Sequence, residues 1–195
     1  MDKINDVISS VVYYLQSCGL IGGFFLIFLE SIFPMLPLGI FIGFNIMAYG
    51  NVTGFLLSYF ATVFGSVMSF TLFRFLLKKF FYKLFKEKTK EEIKKIMQKI
   101  TYIDFNQLVV IIALPFTPAF LVNIAAGLSN ISWKKYLISI FIGKIAIIYF
   151  WGFVGENILT NIKNPIVLLK TFIIVIIVYL ISKIVEKIIN VEERK

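Results

Sequence analysis

The chain has 195 residues, 59% of them hydrophobic and 22 of them Phe, with a mean hydropathy of +0.89. Only 16% are charged, against roughly a quarter in soluble domains, and the run from Ser31 to Phe73 holds none. Since ~20 apolar residues cross a bilayer, that run holds more than one membrane segment, and a soluble globular domain is excluded. The single cysteine, Cys18, excludes an intrachain disulfide and most cysteine metal sites, and the lack of histidine removes the usual general base. The start, MDKINDVISS, has neither the basic opening nor the small-residue cleavage site of a signal peptide, so it is expected to stay in the mature chain.

In chain order, Ile4 to Ser17 reads as a short hydrophobic segment, interrupted at Gly19, Gly22 and Gly23 and resumed from Phe24 to Phe33. Glu30, Pro34 and Pro37 follow within this apolar stretch, and Leu38 to Tyr49 comes next. Phe55 to Leu77 is long enough to span, ending at Arg74, Lys78 and Lys79. Lys78 to Lys99 carries nine Lys against three Glu, so much of the net charge of +9 sits in one linker. Thr89 and Glu92 have capping-box spacing there, and Ile93, Ile96, Met97 and Ile100 recur at helical intervals. The pattern predicts a basic amphipathic linker over 78–100 lying on the membrane surface, its lysines toward anionic headgroups.

Asp104 caps a second apolar half, which again carries two prolines three apart, Pro115 and Pro118. A span from Tyr136 to Gly155 contains Lys144, and a C-terminal transmembrane helix occupies 164–188, with Pro165 suited to its first turn. The halves read as a repeat: the proline pairs correspond, as do Asn51-Val-Thr53 and Asn130-Ile-Ser132, and Gly65 and Gly143. The two Asn-x-Ser/Thr strings are expected to cap the helices that follow them.

The segments beside the prolines are short. Leu38 to Tyr49 would extend roughly 18 Å and Phe105 to Leu114 roughly 15 Å at 1.5 Å per residue, against ~30 Å of hydrocarbon. Two re-entrant hairpins satisfy the positive-inside rule better than two kinked crossings: the linker, Lys134, Lys135 and the basic C-terminus then all face the cytoplasm. With one full span between them, the hairpins enter from opposite faces. The expected fold is therefore all-α and polytopic, an inverted repeat with two opposed proline-broken re-entrant hairpins plus full spans, in one domain over 1–195. Transporters place polar cargo at such broken helices.

The residues now in view resemble the DedA superfamily, also called the VTT-domain or SNARE-associated Golgi protein family. The likeness rests on Glu30 with Pro34 and Pro37, on the Gly65-to-Arg74 span, and on "PFTPAFLVNIAAGLSNISWKKYLISIFIGK", which is similar to the Tvp-like branch. It covers about 20–156. It implies two facing re-entrant helices and lipid movement, of undecaprenyl phosphate in bacterial members and of phospholipid in eukaryotic scramblases, with proton or cation coupling in some. The DedA-type arginines flanking the second-motif proline are absent here; Ile112 and Pro118 stand in their places, and Ile42 stands where an acid is expected.

Each candidate residue carries two readings. Glu30 is either a desolvated proton-exchanging carboxylate or a cap on backbone freed by the prolines. Arg74 either anchors a lipid phosphate or snorkels to the surface. Lys144 pairs with Glu30 or a phosphate, or snorkels. Asn45 and Asn123 line a cavity or satisfy broken backbone. Pro34, Pro37, Pro115 and Pro118 are breakers that leave carbonyls free. Tyr49, Trp133 and Trp151 read as interface anchors.

Three function classes fit. A lipid transporter or scramblase of the bacterial plasma membrane leads, with membrane lipids, anionic headgroups among them, as partners; neither nucleic acid nor a cofactor or metal is expected, and a homo-oligomer is compatible. A proton- or cation-coupled small-solute transporter shares the architecture. A non-transporting membrane scaffold would tolerate neutralisation of Glu30 and Lys144. An enzyme is not expected.

Overall fold

A computed structural model describes residues 2–32, 38–77, 83 and 87–192. The elements are α1 (Asp2–Ile32), α2 (Leu38–Tyr49), α3 (Asn51–Thr71) continued by a π-helical turn (Leu72–Leu76), α4 (Glu87–Tyr102), α5 (Phe105–Ala113), α6 (Ala119–Leu128), α7 (Trp133–Thr160) and α8 (Pro165–Glu192). All described regular structure is helical. Pro34 and Pro37 lie outside the described residues, as does most of 78–86.

Four helices are long and apolar enough to cross a membrane: Ile4–Ile32, Asn51–Leu76, Trp133–Thr160 and Pro165–Ile189. The first is interrupted at Gly19, whose φ of 63° and ψ of −170° break the helical path. An L side chain is disfavoured in that region, which is why glycine occupies it. Only Gly19 breaks the helix; Gly22 and Gly23, expected to share in the interruption, stay helical. The part of α1 after the break, Leu20–Ile32, packs on α2 and α3.

The two halves pack reciprocally. Helix α2 lies against α7, and α6 lies against α3, so the helix after each proline region rests on the long span of the other half. Within each half the preceding arm lies on its own span, α1 on α3 and α5 on α7. A Cβ placed on Gly65 would meet the Phe28 carbonyl and Ser31, while one on Gly143 would meet the Val109 carbonyl and Ile112. Phe28 and Ser31 precede Val109 and Ile112 by the same 81 residues that relate Pro34 to Pro115, while the two glycines are 78 apart. The absent side chain is what lets each arm approach its span so closely.

Two apolar clusters follow this division. One joins Ile27 of α1, Ile42 and Ile46 of α2, Ala61 of α3 and Ile147 and Ile148 of α7. The other gathers the second half around Phe70, Val122, Ile124, Tyr136 and Ile140. It also takes in Ile93 and Ile100, which are 0% and 2% exposed. Here the structure corrects the surface-helix expectation. The apolar face of α4 is closed against α6, so it is occupied by protein and is not free to lie in lipid. Thr89 is also inside α4, which has begun by Glu87, so its spacing to Glu92 does not mark a helix start.

The capping expectations divide. Asp104 and Gln107 form the capping box of α5, and Ser132 Oγ accepts from the Lys135 amide at the start of α7. The Asn51-Val-Thr53 string does not cap α3. Gly50 precedes that helix at φ 81°, and its carbonyl accepts from the Gly54 amide with no side-chain cap.

Candidate functional site

A cavity of about 460 Å³ opens between α1, α2, the Pro115–Pro118 turn and α7. Its wall is mostly apolar, with Trp151, Ile147 and Leu38 among the lining side chains, and it carries one carboxylate, Glu30, and one ammonium, Lys144. These come from opposite halves of the chain. Glu30 is 8% exposed and ends α1 just before the first proline region; Lys144 is 2% exposed and sits beside Gly143, where α7 meets α5. Pro115 and Pro118, read from the sequence as helix breakers, also line this cavity. Just before them Leu114 leaves the helical path, with φ −72° and ψ 121°, and α6 starts after Pro118. That is the local cost of two prolines, each lacking an amide hydrogen and each disfavouring helix at the residue before it.

Lys144 makes no hydrogen bond or ion pair among the described residues. Its ammonium therefore faces the cavity as a charge in an apolar wall. Such intramembrane charges are costly and face protein interiors or polar cavities. Lys144 stands eleven residues into α7, about 16 Å from its start, too deep for its stem to reach the headgroup region easily.

Arg74 is elsewhere. Its Nη2 donates to the carbonyls of Ser129 (2.6 Å) and Ile131 (2.8 Å), its Nε approaches that of Gly127 (3.4 Å), and the guanidinium lies 4.7 Å from the Phe70 ring centroid. These carbonyls belong to the C-terminal end of α6 and the strand of chain that leaves it, where helices present unpaired acceptors and negative potential. The π-helical turn, in which the Leu77 amide reaches the Leu72 carbonyl, carries Arg74 to this position. The guanidinium serves a helix end and does not line the cavity.

The two asparagines occupy matching places with different partners. Asn45 Nδ2 donates to the Gly23 carbonyl and to Ser58 Oγ, both at 3.2 Å, thirteen residues on in the latter case. Asn123 Oδ1 accepts from the hydroxyl of Tyr136 at 2.8 Å, again thirteen residues on. Asn45 does not line the large cavity; it ties α2 to α1 and α3. Asn123 lines a small neighbouring pocket together with Lys144.

Sequence reasoning missed two residues. Thr117, between the second pair of prolines, lines the large cavity and donates to Glu186 Oε1 of α8 at 3.4 Å. Trp151, read as an interface anchor, forms part of the cavity wall beside Phe116, at 5.8 Å between ring centroids. A Thr within a proline pair was a legible signal; the inward face of Trp151 was not.

This is a polytopic helical membrane protein with a mostly apolar cavity, carrying one carboxylate and one ammonium, beside a proline-broken segment. The family model described as the VTT domain matches residues 33–157, and the chain belongs to that family. It is similar to the Bacillus subtilis (strain 168) protein "Uncharacterized membrane protein YhjE", 26% identical over 163 residues that cover 84% of this chain and 78% of that protein. "Uncharacterized protein YqeD" of the same organism is 23% identical over 158 residues, covering 81% of this chain and 75% of its own. No solved structure matches.

Proposed function

We propose that the chain moves lipid across the plasma membrane, with the headgroup passing through the Glu30–Lys144 cavity while the acyl tails stay in the bilayer. The observation that carries this is the cavity: about 460 Å³, with one carboxylate and one ammonium, from opposite halves, in an apolar wall. Two opposite charges in an otherwise apolar cavity suit a cargo that is polar at one end only.

The proposed membrane arrangement has α5–α6, and the end of α1 with α2, as re-entrant hairpins entering from opposite faces. Helices α5 and α6 have 9 and 10 residues and α2 has 12, about 14, 15 and 18 Å, each short of ~30 Å of hydrocarbon. The reciprocal packing of α2 on α7 and α6 on α3 is what an inverted repeat would produce. In this arrangement the linker before α4 and the C-terminus face the cytoplasm, anionic lipids are partners, and no covalent chemistry is needed. Membership of the VTT family supports transport as the class of activity.

The test is translocation of a fluorescent phospholipid in proteoliposomes. Wild type should exchange the label between leaflets, and Glu30→Gln or Lys144→Gln should slow it at least about tenfold. A folded wild-type protein that moves no lipid, with or without a proton gradient, would sink the proposal.

A further inference from the structure

Beside the large cavity, a pocket of about 10 Å³ is enclosed by α5, α6 and α7. That is about the room one water-sized atom needs. Its polar lining consists of Thr117, Asn123 and Lys144, and the remainder is aliphatic, including Ile111, Ile112, Val122 and Ile140. Thr117, Ala119 and Lys144 line the large cavity as well, so the pocket is a side chamber of it.

Two of the three polar side chains carry a donor with no acceptor among the described residues. Asn123 is 1% exposed; Tyr136 holds its Oδ1, and its Nδ2 donates to no group among the described residues. Lys144 is 2% exposed and makes no hydrogen bond or ion pair among the described residues. Burying a donor without an acceptor costs free energy, more so when the donor is charged. Thr117 directs its hydroxyl hydrogen to Glu186. The chamber is thus set with donors and a positive charge. Among the side chains of the chamber, the Thr117 oxygen is the one acceptor beside these donors. Glu30, which could balance the charge in the large cavity, does not line the chamber.

We infer that Lys144 Nζ and Asn123 Nδ2 form a subsite for one anionic oxygen, a terminal oxygen of a phosphate-type group whose remaining atoms stay in the large cavity. The chamber holds a single atom, so it selects a group that can extend one charged oxygen from a larger body. The subsite rests on the transport reading only for how the group arrives; binding is independent of it.

The experiment measures binding to the full chain in detergent micelles. The probes are dioctanoyl phosphatidic acid, inorganic phosphate, and dioctanoylglycerol as the uncharged control. The decisive variant is Asn123→Asp. Its carboxylate still accepts from Tyr136, so thermal stability should hold, but it replaces the Nδ2 donor with an oxygen that competes for Lys144. Affinity for phosphatidic acid should fall at least about tenfold, one charge-assisted hydrogen bond or more, with dioctanoylglycerol unaffected. Should Asn123→Asp fail to fold, Lys144→Gln reads the same loss. Phosphatidic acid binding alone identifies a lipid phosphate; binding of inorganic phosphate as well, lost in the same variant, identifies the free anion as a second source. Wild-type affinity in a folded Asn123→Asp protein overturns the subsite, as does a wild type that binds neither phosphate probe better than the glycerol control. A chain that binds phosphatidic acid but moves no lipid would sink the transport reading and leave the subsite standing.

Discussion

Replacing Arg74 with Met keeps the aliphatic stem and removes the guanidinium. Three carbonyls at the end of α6 then lose their donor. The contact at 3.4 Å is at the edge of hydrogen-bond range and contributes little. The two at 2.6 and 2.8 Å are charge-assisted, each worth about 1.5–3 kcal/mol. Arg74 is half-buried, so the low end applies, and the Phe70 ring adds about 0.5 kcal/mol. The expected loss is about 3.5 kcal/mol. Arg74→Lys should lose about half of that, since an ammonium cannot fork between two carbonyls as a planar guanidinium does. Trp133, edge-on to Phe70 at 4.8 Å, is a local fluorescent reporter for SDS-induced unfolding. Lipid movement per folded molecule should be unchanged. Stability within 1 kcal/mol of wild type would refute the role at the helix end; transport lost at full stability would return the guanidinium to the cargo path.

Gly143→Val drives a side chain into Ile112 and the Val109 carbonyl, and should cost about 1–3 kcal/mol, read as a lowered unfolding midpoint. Gly19→Ala meets nothing within 4 Å, so only the backbone conformation is penalised; at φ 63° and ψ −170° a loss of about 1–3 kcal/mol is expected, and no loss would mean the break can straighten freely. Ile93→Asp puts a carboxylate on the buried face of α4, at a position that is 0% exposed, and should release that helix, seen as faster proteolytic cleavage near Lys88 and Lys90 while the spans stay intact. Tyr136→Phe removes the bond to Asn123 Oδ1 and should cost about 0.5–1.5 kcal/mol, measured in the same unfolding assay.

The long spans were legible because apolar length is a local property, and Pro115 and Pro118 were legible because a missing amide acts where it stands. The capping box at Asp104 was local in the same sense. Three features depended on partners distant in sequence. The acceptors of Arg74 are backbone carbonyls 53 to 57 residues away, which no side-chain pattern announces. The apolar stripe of α4 reads identically whether lipid or protein covers it, and α6 covers it. Glu30 and Lys144 were each visible as a charge in an apolar run, but their shared cavity follows from α2 lying on α7.

The crossing of α2 onto α7 and of α6 onto α3 also sets an order of assembly. When α2 leaves the ribosome, the surface it will finally cover has not been made; some eighty residues separate it from α7. Until then α1 and α3 alone hold it, with an unfilled flank at Gly39 and Gly43, where Trp151, Gly155 and Leu159 will later fit. The first half is therefore a waiting platform, completed only when α7 inserts beside it. Cut within 78–86 and co-expressed, the two pieces should find each other in the bilayer, while either piece alone should be cleared by membrane proteases.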